Sequence, residues 1–522
     1  MRITILFILI CYQLFGQVES TQIDYNNVSA FISGEGTFFY DFENQAKGYE
    51  VPKGLGVHAL KDMRFWFAAK DMNGEIYFSQ GGTPLEKDIF NGPISNLNIY
   101  NTQTYLNSWE KPIYLVNQAT IDKYLSNYNC SQDPNCVDNY PISNEEINQI
   151  NNWPAHGDIS MGQAFNLAPF LDNQEDGIYG PTQGDVPLIK GCYAAYLIQN
   201  DEAMPHTLTN TNPIGIELRI MFYQYHTSDY LNNTLLVDVE AINRSNIDYP
   251  EFMHSVAING ALGNETDDFL GCDSLSNIIY FYNSDNIDEE SSSSSGYGEN
   301  PPAIGIVGLH QKSSSCVPFS GNETVEEKWN LMKGYQSNGD SWIHPNGYET
   351  KYVYSGNPNN PAEWSQLSQG NTPGNVNGLL SMDFGMFHKG DTLRQSYAII
   401  FTQDGNHLEN VESLIENAME LKNTLDNEGT ILCTDEVLNI VEDDKLDVEI
   451  FPNPSSGIFQ IKNPTDHIHT ILISDSQGRI VKEESIQNNE MIEIDLRGKQ
   501  AGIYFVQVTS NNAMMVKKIL IH

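Results

Sequence analysis

The chain has 522 residues, room for two to four domains, and carries 68 acidic against 27 basic side chains for a net charge of −41 at pH 7. A surface that acidic repels nucleic acid and anionic lipid headgroups, which excludes both as partners, and it suits solubility outside the cell and binding of divalent cations. With 27 Tyr, 23 Phe and 40 Gly and few long helical periods, the composition points to a mainly β, turn-rich chain.

Residues 1–17 read as a signal peptide: Arg2, then the apolar run 3–15, too short to span a bilayer comfortably, with cleavage near Gly16 or Gln17. No later stretch is long and apolar enough for a transmembrane anchor. A β-rich body over 18–433 follows. Short apolar or aromatic runs at 28–32, 37–40, 60–69 and 75–79 read as strands between Gly, Asp and Asn turns. The stretch 102–151 is partly helical, with Ser143 as an N-cap ahead of Glu145 and Glu146, and Trp153-Pro154 breaks it. Strands follow at 192–200, 214–226, 234–243, 251–260 and 304–309. The pair 214–226 and 234–243 forms a hairpin, with Val237 and Val239 on one face and Leu236 and Asp238 on the other. Residues 335–364 are rich in Gly, Asn and Pro and read as loop. Strands at 381–387 and 396–402 flank a Lys389-Gly390-Asp391 turn, and 408–425 has a helical apolar period. A subdomain boundary falls near 160–190, and the acidic stretch 434–447 is a linker to a module at 448–522.

Outside the leader stand six cysteines. Cys130 and Cys136 bracket a short loop and are the natural pair; Cys192 and Cys272 read equally well as buried free thiols. The spacings contain no CxxC, so zinc is not indicated.

Asp172, Gln174 and Asp176 alternate, and Gly177 follows. Side-chain oxygens at the first, third and fifth positions, with Gly at the sixth and the carbonyl of Ile178 at the seventh, are what a hard cation such as Ca²⁺ takes from a loop. The twelfth position is Gln183, where an EF-hand has Glu, so Asp185 is the nearest carboxylate to close the shell. A structural Ca²⁺ site and a tight Asx-turn staple both fit this stretch. Asp267, Asp268 and Asp273 form a second acidic cluster. His156, beside Asp158, and His206 sit in Pro- and Gly-rich loops, where a lone His is usually a hydrogen-bonded loop residue. No GxSxG, HExxH or P-loop is present.

The C-terminal module carries Phe451-Pro452-Asn453-Pro454, Ser476-Gln477-Gly478-Arg479, Ile494-Asp495-Leu496, Ala501-Gly502-Ile503-Tyr504 and Lys517-Lys518-Ile519 in order. It resembles the type A C-terminal sorting domain of the Bacteroidetes type IX secretion system. The resemblance implies a small immunoglobulin-like β-sandwich, recognition by the type IX machinery and export across the outer membrane, to be secreted or held at the cell surface. The body, through Trp153-Pro154-Ala155-His156-Gly157-Asp158, Asp176-Gly177-Ile178-Tyr179 and Gly356-Asn357-Pro358, resembles a group of large uncharacterised Bacteroidetes surface proteins with the same tail. It departs from them at Asn259-Gly260-Ala261, where two carboxylates are absent. The expected fold is therefore mainly β: a β-sandwich-type body with few helices, plus the small sorting domain. The expected role is non-enzymatic, in adhesion or binding of an extracellular glycan or protein. The alternatives are a secreted polysaccharide or peptide hydrolase with an unrecognised site, and a structural component of the surface layer.

Overall fold

The computed structural model describes residues 17–136, 140–290, 294–428, 433, 449–462, 468–475, 480–485, 491–499, 502–510 and 514–521. The leader, apart from Gln17, and the linker 434–447 lie outside the described residues. The chain divides into two units, Met1–Asp435 and Glu436–His522.

The larger unit is built on two antiparallel sheets of ten and nine strands. The first has the order Gln17–Val18, Ile113–Asn117, Tyr193–Asn200, Ile216–Gln224, Thr234–Asn243, Thr392–Thr402, Ala303–Gly308, Ile278–Asn283, Asp268–Asp273, and its tenth strand, Phe90–Asn91, pairs with Tyr193–Asn200 off this path. The second centres on His58–Lys70, Tyr249–Gly260 and Asn377–Phe387 and ends at Ser315–Pro318. Alternate residues of each strand face the other sheet. Leu218, Ile220, Phe222, Val237 and Val239 of the first sheet meet Phe65, Phe67 and Val256 of the second in the central core. The opposite faces are covered as well. Tyr196, Met221, Leu236 and Ile400 pack under Val411, Leu414 and Leu421 of helix Glu409–Glu428. Trp66, Phe78 and Met253 pack under Trp329 and Met332 of helix Val325–Met332. Both sheets are thus buried on both faces. That is why strands such as Ile216–Gln224 are buried almost throughout, the polar Glu217 and Gln224 included.

The expected strands are present within a few residues of their bounds, and 214–226 with 234–243 is a hairpin in which Ile216 pairs with Asn243. The Lys389-Gly390-Asp391 turn lies between two strands as expected, and it carries the chain from one sheet to the other: Asn377–Phe387 pairs with Tyr249–Gly260, whereas Thr392–Thr402 pairs with Thr234–Asn243. One expectation is corrected. Cys192 and Cys272 are not free thiols. Cys192 bonds Cys433, Cys272 bonds Cys316, and Cys130 bonds Cys136 as the spacing suggests. Ser143 caps Asn144–Asn151 in a capping box with Glu146. Ile113–Asn117 and Tyr193–Asn200, on either side of 160–190, are paired neighbours in the first sheet.

The smaller unit is a sandwich of three and four strands, Glu449–Phe451, Ile458–Lys462, Met491–Asp495 and Ile480–Ser485, Ile468–Asp475, Gly502–Ser510, Met514–Ile521. Phe459, Ile461, Ile473, Ile494, Val506 and Ile519 fill its interior.

Candidate functional site

The two large sheets of the body end side by side at Asp268–Asp273 and Ser315–Pro318, and the Cys272–Cys316 disulfide joins these two edge strands. The strip 351–354 runs along them and takes up their free backbone groups. Cys316 N–H donates to Lys351 O, Val353 N–H to Cys316 O, and Cys272 N–H to Tyr354 O. An edge closed in this way is a stiff support for the loops above it.

Those loops form a cleft of about 370 Å³, within the range of about 300–1,000 Å³ usual for small-molecule sites. One wall is the tip of the hairpin Trp342–Ile343 and Glu349–Thr350. Pro345, Asn346 and Gly347, the last at φ 87°, close the tip, and His344 N–H donates to Tyr348 O at 2.8 Å. This places the His344 and Tyr348 rings in a stack 4.4 Å apart and 11° from parallel, and the edge of Trp364 meets His344 at 4.9 Å. Asn346 N–H donates to His344 Nδ1, so the proton of the neutral ring sits on Nε2. Tyr348 keeps 54% of its surface exposed.

The facing wall runs through Gly356, Glu363, Trp364 and Gln369. Gly356 N–H donates to Trp364 O, and a Cβ at Gly356 would come within 2.5 Å of Trp364 N, so only glycine allows this closure. The Glu363 carboxylate accepts from Asn357 N–H and Asn360 Nδ2, both at 2.8 Å. Asn357 and Asn359 amides donate to Glu412 and tie the wall to the long helix. Glu363 is the one carboxylate in the lining, which contains no Lys or Arg. A second cleft of about 330 Å³ is mainly apolar, with Phe90, Tyr105, Trp109 and Met204 in its walls and Glu110 as its one carboxylate.

The residues singled out from sequence lie elsewhere. The Asp172 carboxylate accepts N–H groups of its own loop, from Gln174 and Asp176 at 3.3 Å and Gly177 at 2.7 Å, and these hydrogen bonds, that from Gly177 foremost, hold its pKa down. Asp176 accepts from Ile178 N–H at 2.8 Å. Asp185 is buried and spans the loop from within, accepting from Asn173 N–H and Gly180 N–H, both at 2.8 Å. Among the described residues no group of three or more His, Cys, Asp or Glu is arranged to hold a metal ion. Asp273 does not join Asp267 and Asp268. It caps the turn at the far end of their strand, accepting from Leu275 and Ser276. The acidic neighbour of Asp267 and Asp268 is Asp288, which accepts from Asn264 and Tyr297 N–H. Burial pushes the Asp267 carboxyl up to about 6 and that of Asp268 well above its ordinary value. His156 accepts from Tyr179 N–H and stacks on Phe165, a loop-fixing role.

The aromatic cleft escapes a reading of the sequence because 335–364 lacks any period. The available signal is the density of rings, Trp342, His344, Tyr348, Tyr354 and Trp364, in a stretch otherwise made of turn residues.

Residues 449–522 match the family model described as the secretion system C-terminal sorting domain. The chain is therefore a type IX secretion cargo, exported across the outer membrane to a secreted or surface state. Among the described residues no helix is long and apolar enough to cross a membrane. No curated protein matches the chain. Among solved structures, a DUF3244 family protein with an immunoglobulin-like β-sandwich fold from Bacteroides vulgatus aligns at 20% identity and a TM-score of 0.14, over 15% of this chain and 93% of its own. A polysaccharide lyase aligns at 10% identity and a TM-score of 0.18, over 58% of this chain and 34% of its own.

Proposed function

We propose that the exported body is a non-enzymatic binding protein that attaches to extracellular material through the aromatic cleft at the hairpin tip 344–348. One observation carries this reading: a stiffly supported cleft with a stacked ring pair and a single carboxylate that is already engaged by two donors. Glycoside hydrolysis by the usual route needs two carboxyl groups about 5–9.5 Å apart across the substrate. Each of the two clefts has one. The loop 172–185 has a structural part in this proposal. Ca²⁺ is a ligand to be tested there, since Asp172 and Asp185 already accept backbone N–H groups.

The test is to incubate the full chain with insoluble polysaccharides and protein matrices and follow both depletion from solution and product release. Depletion without new reducing ends, unsaturated ends or peptides is expected. Steady release of products would replace this reading with a hydrolase or lyase.

A further inference from the structure

We infer that the cleft lined by Asn346, Tyr348, Ser355 and Gln369 takes a neutral saccharide, with the face of the Tyr348 ring turned away from His344 as the platform under the sugar. The inference deepens the binding reading above and rests on it. A pyranose ring has two chemical faces of different kind: a patch of C–H groups that behaves as an apolar surface, and a rim of hydroxyls that must be paired when water leaves. A site for it needs an open aromatic face for the first and several small donors and acceptors for the second.

Both are present. Tyr348 is backed on one side by His344 and remains 54% exposed, whereas the rings of Trp329 and Trp66 are almost wholly buried. The backing ring is itself fixed, by the Asn346 N–H bond to Nδ1 and by the edge of Trp364, so the platform is ordered before a ligand arrives. Around it stand the side chains of Asn346, Ser355 and Gln369, which make no side-chain hydrogen bond to other described residues and are exposed. These groups are a set of amides and a hydroxyl, suited to the alternating donor and acceptor needs of hydroxyls.

Charge selects among saccharides. The lining has no Lys or Arg and contains the Glu363 carboxylate, within a chain of net charge −41. A uronate or sulfate group would enter against that field with no cation to meet it. The class that remains is uncharged: hexose, pentose or N-acetylhexosamine polymers.

The experiment is titration calorimetry of the full chain with neutral gluco-, xylo-, manno- and N-acetylglucosamine oligosaccharides, and with alginate and heparin oligosaccharides as acidic counterparts. The variants are Tyr348→Ala and Tyr348→Phe, both at an exposed hairpin tip outside the core. Binding of at least one neutral series is expected, weakened about tenfold or more by Tyr348→Ala and retained by Tyr348→Phe, because the ring face rather than the hydroxyl carries the contact. Acidic oligosaccharides bound more tightly than neutral ones would overturn the inference. So would neutral binding untouched by Tyr348→Ala, or absence of saccharide binding. If the chain still attaches to a protein matrix in that last case, the binding reading stands and the saccharide assignment alone fails.

Discussion

The Nε2 of His206 lies 3.9 Å from the Asp201 carboxylate, and neither side chain has any exposure. A second buried carboxylate, Asp88, lies 4.0 Å from Nδ1. Both ring nitrogens are engaged, Nδ1 with Phe78 O at 3.0 Å and Thr211 Oγ1 at 3.4 Å, and Nε2 with Asp201 O at 2.8 Å. Asp201 in turn accepts from Ser79 Oγ and from the N–H groups of Ile214, Gly215 and Ile216, and so fixes the start of a central strand. Replacing His206 by Phe keeps much of the shape and leaves two buried carboxylates without their neighbour. The expected cost is about 1–3 kcal/mol, from the buried hydrogen bonds the ring no longer makes to Phe78 O and Asp201 O, read as a lower urea midpoint. Adding Asp88→Asn should recover part of it. An unchanged midpoint for His206→Phe would remove the triad from the account of stability.

Asp268 has the opposite defect. It is fully buried, one oxygen accepts from Leu262 N–H at 3.0 Å, and the other has no partner among the described residues. Burial first, then the charges of Asp267 and Asp288, push its carboxyl up. A raised carboxyl pKa means that the folded state holds the proton more tightly than the unfolded chain. Stability from this group is full below the ordinary value of 3.8 and is lost as pH rises through the raised folded value. Asp268→Asn supplies a neutral group of the same shape. It is expected to be more stable than the parent at neutral pH by about 1–3 kcal/mol, with the difference closing near pH 4. Thermal unfolding across that range checks it, and a variant less stable at neutral pH would show that the ionised carboxylate is needed.

Strand positions were legible in the sequence because Val237 and Val239 share a face that a hairpin must bury. Asp172 was legible as a turn because its partners lie within five residues. The His206 triad was not legible, since Asp88 and Asp201 stand 118 and 5 positions away and meet only after the sheets pair. Asp273 stands nearer Asp268 in sequence than Asp288 does, but a six-residue strand carries Asp273 to the far end, while pairing of Asp268 with Asn283 brings back the chain that leads to Asp288. The aromatic cleft depends on a disulfide between edge strands of different sheets, a contact that spacing does not encode.

The Asp172 loop separates the two expectations made for it. As a staple held by carboxylate-to-backbone bonds, it loses its acceptor for three N–H groups in Asp172→Ala. The loop is exposed, so water replaces part of each bond, and a small drop in melting temperature is expected, equal in EDTA and in Ca²⁺. If the parent chain instead gains several degrees in Ca²⁺ and the variant does not, the loop is an ion site, because a ligand confined to the native state at about 100 times its dissociation constant adds about 2.7 kcal/mol.

The sorting unit yields a prediction about location rather than stability. Its interior, Phe459, Ile461, Ile473, Ile494, Val506 and Ile519, is its own, and the body closes its cores without these residues. Deleting 449–522 should therefore leave a folded body that fails to leave the periplasm. Replacing Ile473 and Val506 together by Asp, which puts two charges into that small core, should have the same effect on export through unfolding of the signal rather than its absence. Fractionation with an antibody to the body reads both, and a cooperative melt of the retained protein shows that the body is intact. Arrival of the truncated chain at the surface or in the medium at the parental rate would refute the export role of the tail. Normal export of the double Asp variant alone would mean that the machinery reads a linear stretch, not the folded sandwich.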